Sequence, residues 1–324
     1  MPLIVPSGRV YAIYTYNGDE VRSLPGSKRQ IRSDMLGWYC FKYSDDAGKT
    51  WSKRYRIPIR TTAADRGNQW KGEVNIFWGI DKPKVSDQGV TFCFTKLGRY
   101  MLEQGEGWLI HSDNILTEQD PEQIHWKLLP DGEHGLRMPE FGSIQEEHNH
   151  VVIGPGEFYV VYRTQTGYPC HTYSRDGGKT WTDPVQMTHS PGGRKLTNQR
   201  ACPKLFACAN GKYLFWFHNH SQTSFFYRNP AWLVGGVVRD GKMHWSKPEI
   251  VLFHHDLPAD DQRFHGSPMK LRGMSYPDLI EQDEHRYSKQ RSKPAEPSQR
   301  ASECVQLLHS GPQIHPLFRA KHPT

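Results

Sequence analysis

Residues 170–181 read CHTYSRDGGKTW. The alternation of small and polar side chains over residues 170–174 indicates a strand, and residues 180–181 begin a second one. Between them, Asp176 to Gly178 form a tight turn, because Gly accepts a positive φ and Asp hydrogen-bonds its own backbone two residues on. We therefore predict a β-hairpin whose turn lies at residues 176–178.

The same arrangement occurs a second time, in WYCFKYSDDAGKTW at residues 38–51. Five positions of this stretch repeat the spacing found in residues 174–181, namely Ser44, Asp46, Gly48, Thr50 and Trp51. The two copies lie 130 residues apart. Agreement at five positions exceeds what two unrelated Asp-Gly hairpin turns would share. The chain is therefore predicted to contain an internal repeat.

The spacing S-x-D-x-G-x-T-W resembles the Asp box, the turn motif of the sialidase-like β-propellers, which are also called BNR repeats. The resemblance implies an all-β propeller built from four-stranded antiparallel blades. It does not by itself imply sialidase activity, because the Asp box is a folding element and a fold does not fix a function.

The strand patterns agree with a repeat of four strands each. Strong apolar strands are predicted at residues 9–17, 90–98, 157–167 and 212–220, and shorter ones at 72–79, 147–153, 200–206 and 275–281. The closing residues of the units are predicted to be Trp51, Trp126, Trp181 and Trp245. Strand, hairpin, strand, loop, strand, Asp-box turn and strand make one four-stranded antiparallel blade. We predict an incomplete propeller of about five of six blades, the first without its innermost strand.

The period-2 pattern stops after Asp283. Residues 1–283 are therefore predicted to form the propeller, and residues 284–324 a polar, basic and disordered tail. The tail carries seven Lys or Arg against three Glu, which is four of the net seven positive charges. We expect the sequence to be a truncated or out-of-frame form of a longer propeller.

Composition excludes several classes of function. Little of the positive charge lies in the predicted propeller, so we expect no nucleic-acid partner. Mean hydropathy is −0.73 and no run of 18 apolar residues occurs, so we expect no membrane span. The six cysteines show no metal-binding spacing and require neither a disulfide nor a metal, and no cofactor is predicted. No secretory signal is visible, although the family resemblance suggests a secreted or periplasmic protein.

In a propeller the loops that enter the innermost strands and the loops that leave the second strands open on one face, which forms a funnel suited to a ligand. The resemblance implies that arginines from different blades hold a substrate carboxylate there, because the guanidinium fork matches a carboxylate. By position these are Arg66, Arg163 and Arg200. Alternatively, each pairs with a carboxylate on the rim.

The family's F-R-I-P motif precedes the first Asp box, whereas Arg56-Ile57-Pro58 here follows one. The catalytic Asp of the family and its Tyr-Glu nucleophile pair also have no clean match. By position alone, Asp65 is the candidate acid, Glu146 or Glu147 the candidate base and Tyr276 the candidate nucleophile.

Two pairs of histidines also lie at predicted funnel positions, His148 with His150 and His218 with His220. Residues two apart on a strand face the same way, so each pair could serve acid–base chemistry or bind a metal. The alternative is that they are hydrogen-bonded histidines inside the channel with no chemical role.

Three functions remain open from the sequence. The preferred one is a sialidase-like glycosidase that hydrolyses a terminal anionic sugar. The second is a polysaccharide lyase acting on a uronic-acid glycan with His148, His218 and Tyr168 as acid–base residues. The third is a non-catalytic glycan-binding propeller. The predicted partner is in each case a carbohydrate, most simply an anionic glycan.

Overall fold

The computed structural model describes residues 1–221, 223, 225, 228–253, 276–281 and 305–308, the last four by their backbone. Within these residues the helical elements are α1 (Ala63–Gly67) and a single 3-10 turn (Pro139–Phe141). All other regular structure is antiparallel β.

The first unit contains four strands in chain order, β1 (Pro2–Ile4), β2 (Val10–Tyr16), β3 (Leu36–Ser44) and β4 (Tyr55–Arg56). Leu3 pairs with Tyr11, so a first strand is present and the prediction of a missing one is wrong. A three-residue strand is too short to show a period, which is why the sequence pattern did not indicate it.

The second unit is centred on two long strands, β7 (Gly89–Arg99) and β8 (Glu103–Ser112). Its remaining strands are β5 (Asn75–Trp78), β6 (Lys84–Ser86) and β9 (Lys127–Leu129). Strands β5 and β6 pair with opposite ends of β7. Since β5 also pairs with β3, the first two units form one nine-stranded sheet.

The third unit has the four-stranded order predicted for a blade, with strands β10 (Gln145–Gly154), β11 (Glu157–Thr164), β12 (Cys170–Ser174) and β13 (Val185–Gln186). The fourth contains β14 (Lys204–Ala207), β15 (Tyr213–Phe217), β16 (Ala231–Arg239), β17 (Lys242–Trp245) and β18 (Glu249–Leu252). Strands β17 and β18 both pair with β16.

A fifth unit begins with β19 (Asp278–Glu281), which pairs with β20 (Val305–Leu308). The fold is all-β, with repeated antiparallel units in an incomplete, propeller-like arrangement, as predicted. Residues 284–304 and 309–324 lie outside the described residues, so the disordered tail stays a prediction.

Both predicted turns have the same hydrogen bonds. In the turn at residues 174–181, Asp176 Oδ1 accepts from the Thr180 backbone N–H at 2.9 Å and Oδ2 from the Thr180 hydroxyl at 2.6 Å. The corresponding distances from Asp46 to Thr50 are 2.8 and 2.6 Å. The Trp181 indole N–H closes the turn on the Gly178 carbonyl at 2.9 Å. The turn is therefore fixed by its own residues.

The units pack through buried apolar side chains. One cluster joins the first two units through Tyr39, Phe77 and Phe94. Others join the second unit to the third and the third to the fourth. This packing holds the early strands of successive units next to one another. No helix in the described part is long and apolar enough to cross a membrane.

Candidate active site

The site is organised by an irregularity in β10. The pairing of β10 with β11 shifts register between Glu146 and Asn149, and Glu147 has a φ of 60°. In a regular strand, adjacent side chains point to opposite faces. The bulge instead directs both Glu146 and Glu147 toward Arg163 on β11. A non-glycine residue with a positive φ is strained, and such residues concentrate at functional sites.

Asn149 holds this bulge in place. Its side-chain amide donates to the Glu147 carbonyl at 3.0 Å and to the Pro203 carbonyl at 2.6 Å. Its oxygen accepts from the Leu205 backbone N–H at 2.8 Å. Since Leu205 lies on β14, the bulge is tied to the neighbouring unit.

Two arginines neutralise the two carboxylates. Arg163 Nη2 donates to Glu146 Oε2 at 2.7 Å, and its Nη1 lies 2.8 Å from Glu147 Oε1. Arg200 Nε donates to Glu146 Oε1 at 2.8 Å. Burial alone would lower the pKa of Arg163, but the nearby Glu147 and Glu146 outweigh it and raise that pKa. Arg163 therefore stays charged although it is buried.

Tyr276 completes the cluster from the fifth unit. Its hydroxyl donates to Glu147 Oε1 at 2.8 Å, and the Trp78 indole N–H donates to the same oxygen at 3.0 Å. The residue is 46% exposed, but its hydroxyl end points inward. Burial of that end and the charge of Glu147 raise the pKa of the phenol, while Arg163 and Arg228 oppose the rise. The phenol therefore needs a base to become a nucleophile, and Glu147 is in contact with it.

Tyr276 also lines a cavity of about 540 Å³. Part of the cavity wall comes from the loop between β2 and β3, where Arg32 pairs with Asp34 at 2.6 Å. Arg32 also stacks over Trp78, 4.8 Å from the ring centroid. Its hydrogen bond holds the pKa of Asp34 below the usual range of a carboxyl. The cavity is therefore bounded by a phenol, a carboxylate and a guanidinium.

Asp65 and Arg66 do not join this cluster. Asp65 caps α1 through the Thr62 backbone N–H and forms a fully buried ion pair with Lys96 at 2.6 Å. Arg66 pairs with Glu133 at the exposed surface. Neither residue lines the cavity. The ion pairs of Asp65 and Arg66 therefore indicate that both residues stabilise the fold.

The histidines of β10 face the second unit instead of the cavity. His148 lies 2.9 Å from the Thr95 hydroxyl and 3.0 Å from the Leu136 carbonyl, and it stacks on Tyr162. A Cβ at Gly107 would come within 2.1 Å of the His148 ring, so only glycine allows this approach. Burial lowers the pKa of His148 to about 3, which keeps the ring neutral. These contacts give His148 a role in packing.

The second histidine pair and Tyr168 are apart from the cavity as well. His218 Nδ1 lies 3.3 Å from the Pro230 carbonyl, and His220 follows it after the end of β15. Tyr168 lies beside Lys195, whose ammonium is 5.2 Å from its ring centroid. None of the three lines the cavity.

A buried trio of possible metal ligands lies below the cluster. Donor atoms of Asp81, Cys93 and His150 lie within 4.8 Å of one another. However, Asp81 already contacts the Lys84 ammonium, and its other oxygen lies 2.6 Å from His150 Nδ1. A metal ion would have to compete with Lys84 for Asp81. The trio therefore belongs to an ion-pair network.

Three charged residues of the site were not predicted, namely Arg32, Asp34 and Arg228. They lie in loops, where no hydrophobic period indicates which way a side chain points. The positions of Arg32 and Asp34 could have been predicted, because the loop that leaves a second strand, here β2, opens on the funnel face.

Comparisons with known proteins give one family and several solved structures. The sequence profile of a family described as "BNR repeat-like domain" matches residues 3–287. The NanB sialidase of Streptococcus pneumoniae is 17% identical over 75% of this chain and 30% of its own, with a TM-score of 0.48. A Hadza microbial sialidase is 16% identical over 78% of this chain and 45% of its own, with a TM-score of 0.49.

An alpha-L-arabinanase of Penicillium chrysogenum is 13% identical over 75% of this chain and 65% of its own, with a TM-score of 0.40. The chain thus spans less than half the length of either sialidase. No curated protein sequence matches it.

Proposed function

The chain belongs to the BNR repeat-like domain family, and on that premise we propose that it is a sialidase-like glycosidase that hydrolyses a terminal anionic sugar. The observation that carries the proposal is the 2.8 Å hydrogen bond from the Tyr276 hydroxyl to Glu147 Oε1. The same carboxylate oxygen lies 2.8 Å from Arg163 Nη1. A phenol paired with a carboxylate fits an activated nucleophile and its base.

The proposed reaction has two steps. In the first, Glu147 takes the phenol proton while the Tyr276 oxygen bonds to the anomeric carbon and the glycosidic bond breaks. A sugar linked to tyrosine results. In the second step, water attacks the anomeric carbon and gives a proton to the carboxylate that protonated the leaving oxygen. The tyrosine oxygen leaves and recovers its proton from Glu147. Two displacements give net retention of configuration.

The leaving oxygen needs a proton, and we assign its delivery to Asp34 in place of Asp65. Asp34 lines the same cavity as Tyr276, whereas Asp65 is buried in its ion pair. Because Arg32 lowers the pKa of Asp34, this carboxyl is ionised at neutral pH. Turnover is therefore expected to rise as the pH falls below 7, since more of the enzyme then carries the required proton.

The substrate carboxylate is proposed to bind at Arg32, which supplies a partly exposed guanidinium on the cavity wall. Arg163 and Arg200 do not line the cavity and are largely neutralised by Glu146 and Glu147, so we assign them to holding these two carboxylates. A planar guanidinium binds a carboxylate through two charge-assisted hydrogen bonds. Arg32 thus takes the substrate-binding role that was predicted for Arg66 from the sequence.

The test is hydrolysis of fluorogenic α-sialosides and glycosides of uronic acids by the full chain. Tyr276→Phe removes the nucleophile and should lower kcat by about a thousandfold with little change in Tm. Arg175→Gln, on an exposed arginine beside the Asp-box turn, is the matched control and should keep full activity. A fluorinated sugar that slows the second step should add its mass to the peptide containing Tyr276.

Three results would contradict the proposal. Products with an unsaturated uronide absorbance would indicate a lyase, and binding without turnover would indicate a glycan-binding protein. Full activity of Tyr276→Phe would exclude tyrosine as the nucleophile.

A further inference from the structure

Lys204 is a buried lysine on the wall of the cavity. It is the first residue of β14, only 4% of its surface is exposed, and its ammonium donates to the Ile80 carbonyl. The proposed hydrolysis does not use it. Lysine is rarely this buried unless its charge is paired.

Among the lysines and arginines of the cavity wall, Arg32 pairs with Asp34 and Lys82 pairs with Asp278. The Met1 ammonium also lines the cavity and donates to the Ile13 carbonyl at 2.7 Å. Over the described residues, no carboxylate oxygen lies within 4.0 Å of the Lys204 ammonium. Lys204 is therefore the lining side-chain cation whose charge has no direct counterion.

The nearest negative charge is already shared. Asp81 attracts Lys204 electrostatically, but it contacts Lys84 and His150 directly. One carboxylate thus faces two ammonium groups, which leaves an excess positive charge beside the cavity. A buried charge without a partner is costly, and an anion in the cavity would remove that cost.

We propose that Lys204 binds an oxyanion, a sulfate or carboxylate group, in the cavity next to Tyr276. The oxyanion is either free in solution or a second acidic group carried by a glycan. The inference does not depend on hydrolysis, because it concerns binding alone.

The charge state of Lys204 supports the assignment. Burial, partly offset by Asp81, lowers the pKa of Lys204 to about 8, so the ammonium is charged at pH 7. The groups that face it are Asp81, Lys84, Lys82 and Cys202. Oxyanion binding should weaken as the pH rises through 8, because Lys204 loses its proton there, while Asp81, whose pKa lies below its usual range, keeps its charge.

The first experiment measures thermal unfolding of the full chain at pH 7 against inorganic sulfate, with sodium chloride at matched ionic strength. The wild type should show a saturable rise of Tm. Lys204→Gln should weaken the apparent affinity for sulfate at least tenfold. Lys212→Gln, which removes an exposed lysine from the same unit, should behave like the wild type. An unchanged saturable rise in Lys204→Gln would overturn the proposal.

The second experiment needs no variant, in case Lys204→Gln does not fold. The wild type is acetylated at pH 8 with and without saturating sulfate, and each lysine is followed by peptide mass spectrometry. Sulfate should slow acetylation of Lys204 at least fivefold and leave Lys212 unchanged. Equal rates at Lys204 with and without sulfate would overturn the proposal.

The source of the oxyanion is distinguished by comparing lactose, sulfated lactose and inorganic sulfate as ligands. Binding of sulfated lactose far tighter than inorganic sulfate assigns the site to a glycan substituent. Similar affinities assign it to a free anion, and the absence of binding by both overturns the inference. Failure of the sialoside assay would remove the proposed hydrolysis and leave these results unaffected.

Discussion

At the scale of single residues, the backbone of Glu147 matters most. Its φ of 60° lets two adjacent carboxylates reach one arginine, which a regular strand does not allow. Tyr276, its hydrogen-bond partner, has a φ of 57°. The acid and the phenol of the proposed site are thus both held in strained conformations. Strain of this kind persists only where the surroundings impose it, here through Asn149 and Arg163.

His148 predicts how stability depends on pH. The pKa of His148 in the folded state is about 3, below the usual value of 6.5. Between these two values the unfolded chain binds a proton at His148 and the native state does not. The contribution of His148 to stability is present above pH 6.5 and is lost as the pH falls toward 3, by about 1.4 kcal/mol per pH unit.

Urea unfolding at pH 7, 6, 5 and 4 checks this expectation. His148→Gln should be less stable at pH 7 but should lose less stability between pH 6 and 4. His125→Gln, on an exposed histidine, should follow the wild type. The same slope in His148→Gln and the wild type would show that His148 does not determine the acid sensitivity.

Part of the site could be predicted from the sequence. Strand order and the propeller geometry implied by the resemblance placed five residues at one funnel. In the structure they form one cluster of contacts, namely Glu146, Glu147, Arg163, Arg200 and Tyr276. Asp65 was chosen in the same way, yet it lies in an ion pair with Lys96. Position along a strand predicts which end of the sheet a residue occupies. It does not predict which opposite charge it meets.

At the scale of elements, the two Asp-box turns should differ in their contribution to stability although their hydrogen bonds are alike. A Cβ at Gly178 would lie 3.4 Å from Leu129 and from Phe158, so this turn packs against neighbouring strands. The turn at Gly48 contacts only its own Trp51 in that direction.

Asp176→Ala should therefore destabilise the protein by about 2 kcal/mol, because it removes hydrogen bonds to a packed turn. Asp46→Ala should cost less, and Asp183→Ala, at an exposed aspartate, close to nothing. Urea unfolding at pH 7 measures all three. An equal or larger loss in Asp46→Ala would mean that packing around the turn contributes little.

The long strands were predicted correctly from the sequence. The second strand of each unit was predicted within a few residues, because several alternating apolar residues mark it. The misses were β1 and β6, with three residues each, and the pairing of β3 with β5. A bridge of two residue pairs between units leaves no periodic signal in either strand.

At the scale of the whole molecule, polar contacts between units hold the site together. Asn149 connects the bulge of the third unit to Pro203 and Leu205 of the fourth. The cavity combines Arg32 and Asp34 of the first unit with Tyr276 of the fifth. This proximity could not be predicted from the sequence, because the pattern does not show where the first and last units of an open arrangement meet.

Asn149→Ala should therefore affect stability and activity together. It leaves the buried Leu205 N–H and Pro203 carbonyl without their partner, which should cost about 2 to 3 kcal/mol in urea unfolding. It also releases the Glu147 carbonyl, so sialoside hydrolysis should fall at least tenfold in the protein that remains folded.

Asn210→Ala, in an exposed turn of the fourth unit, is the control and should change hydrolysis little. If Asn149→Ala lost stability but kept full turnover, the bulge would not be needed to position Glu147.

The buried cysteines of the four complete units allow the local opening of each unit to be measured. Cys40, Cys93, Cys170 and Cys202 are unpaired and fully buried, and each belongs to a different unit. A thiol reagent can reach one of them only when its surroundings open. Pulsed alkylation followed by mass spectrometry would therefore rank the four units by their rate of exposure, without labels or engineered mutations.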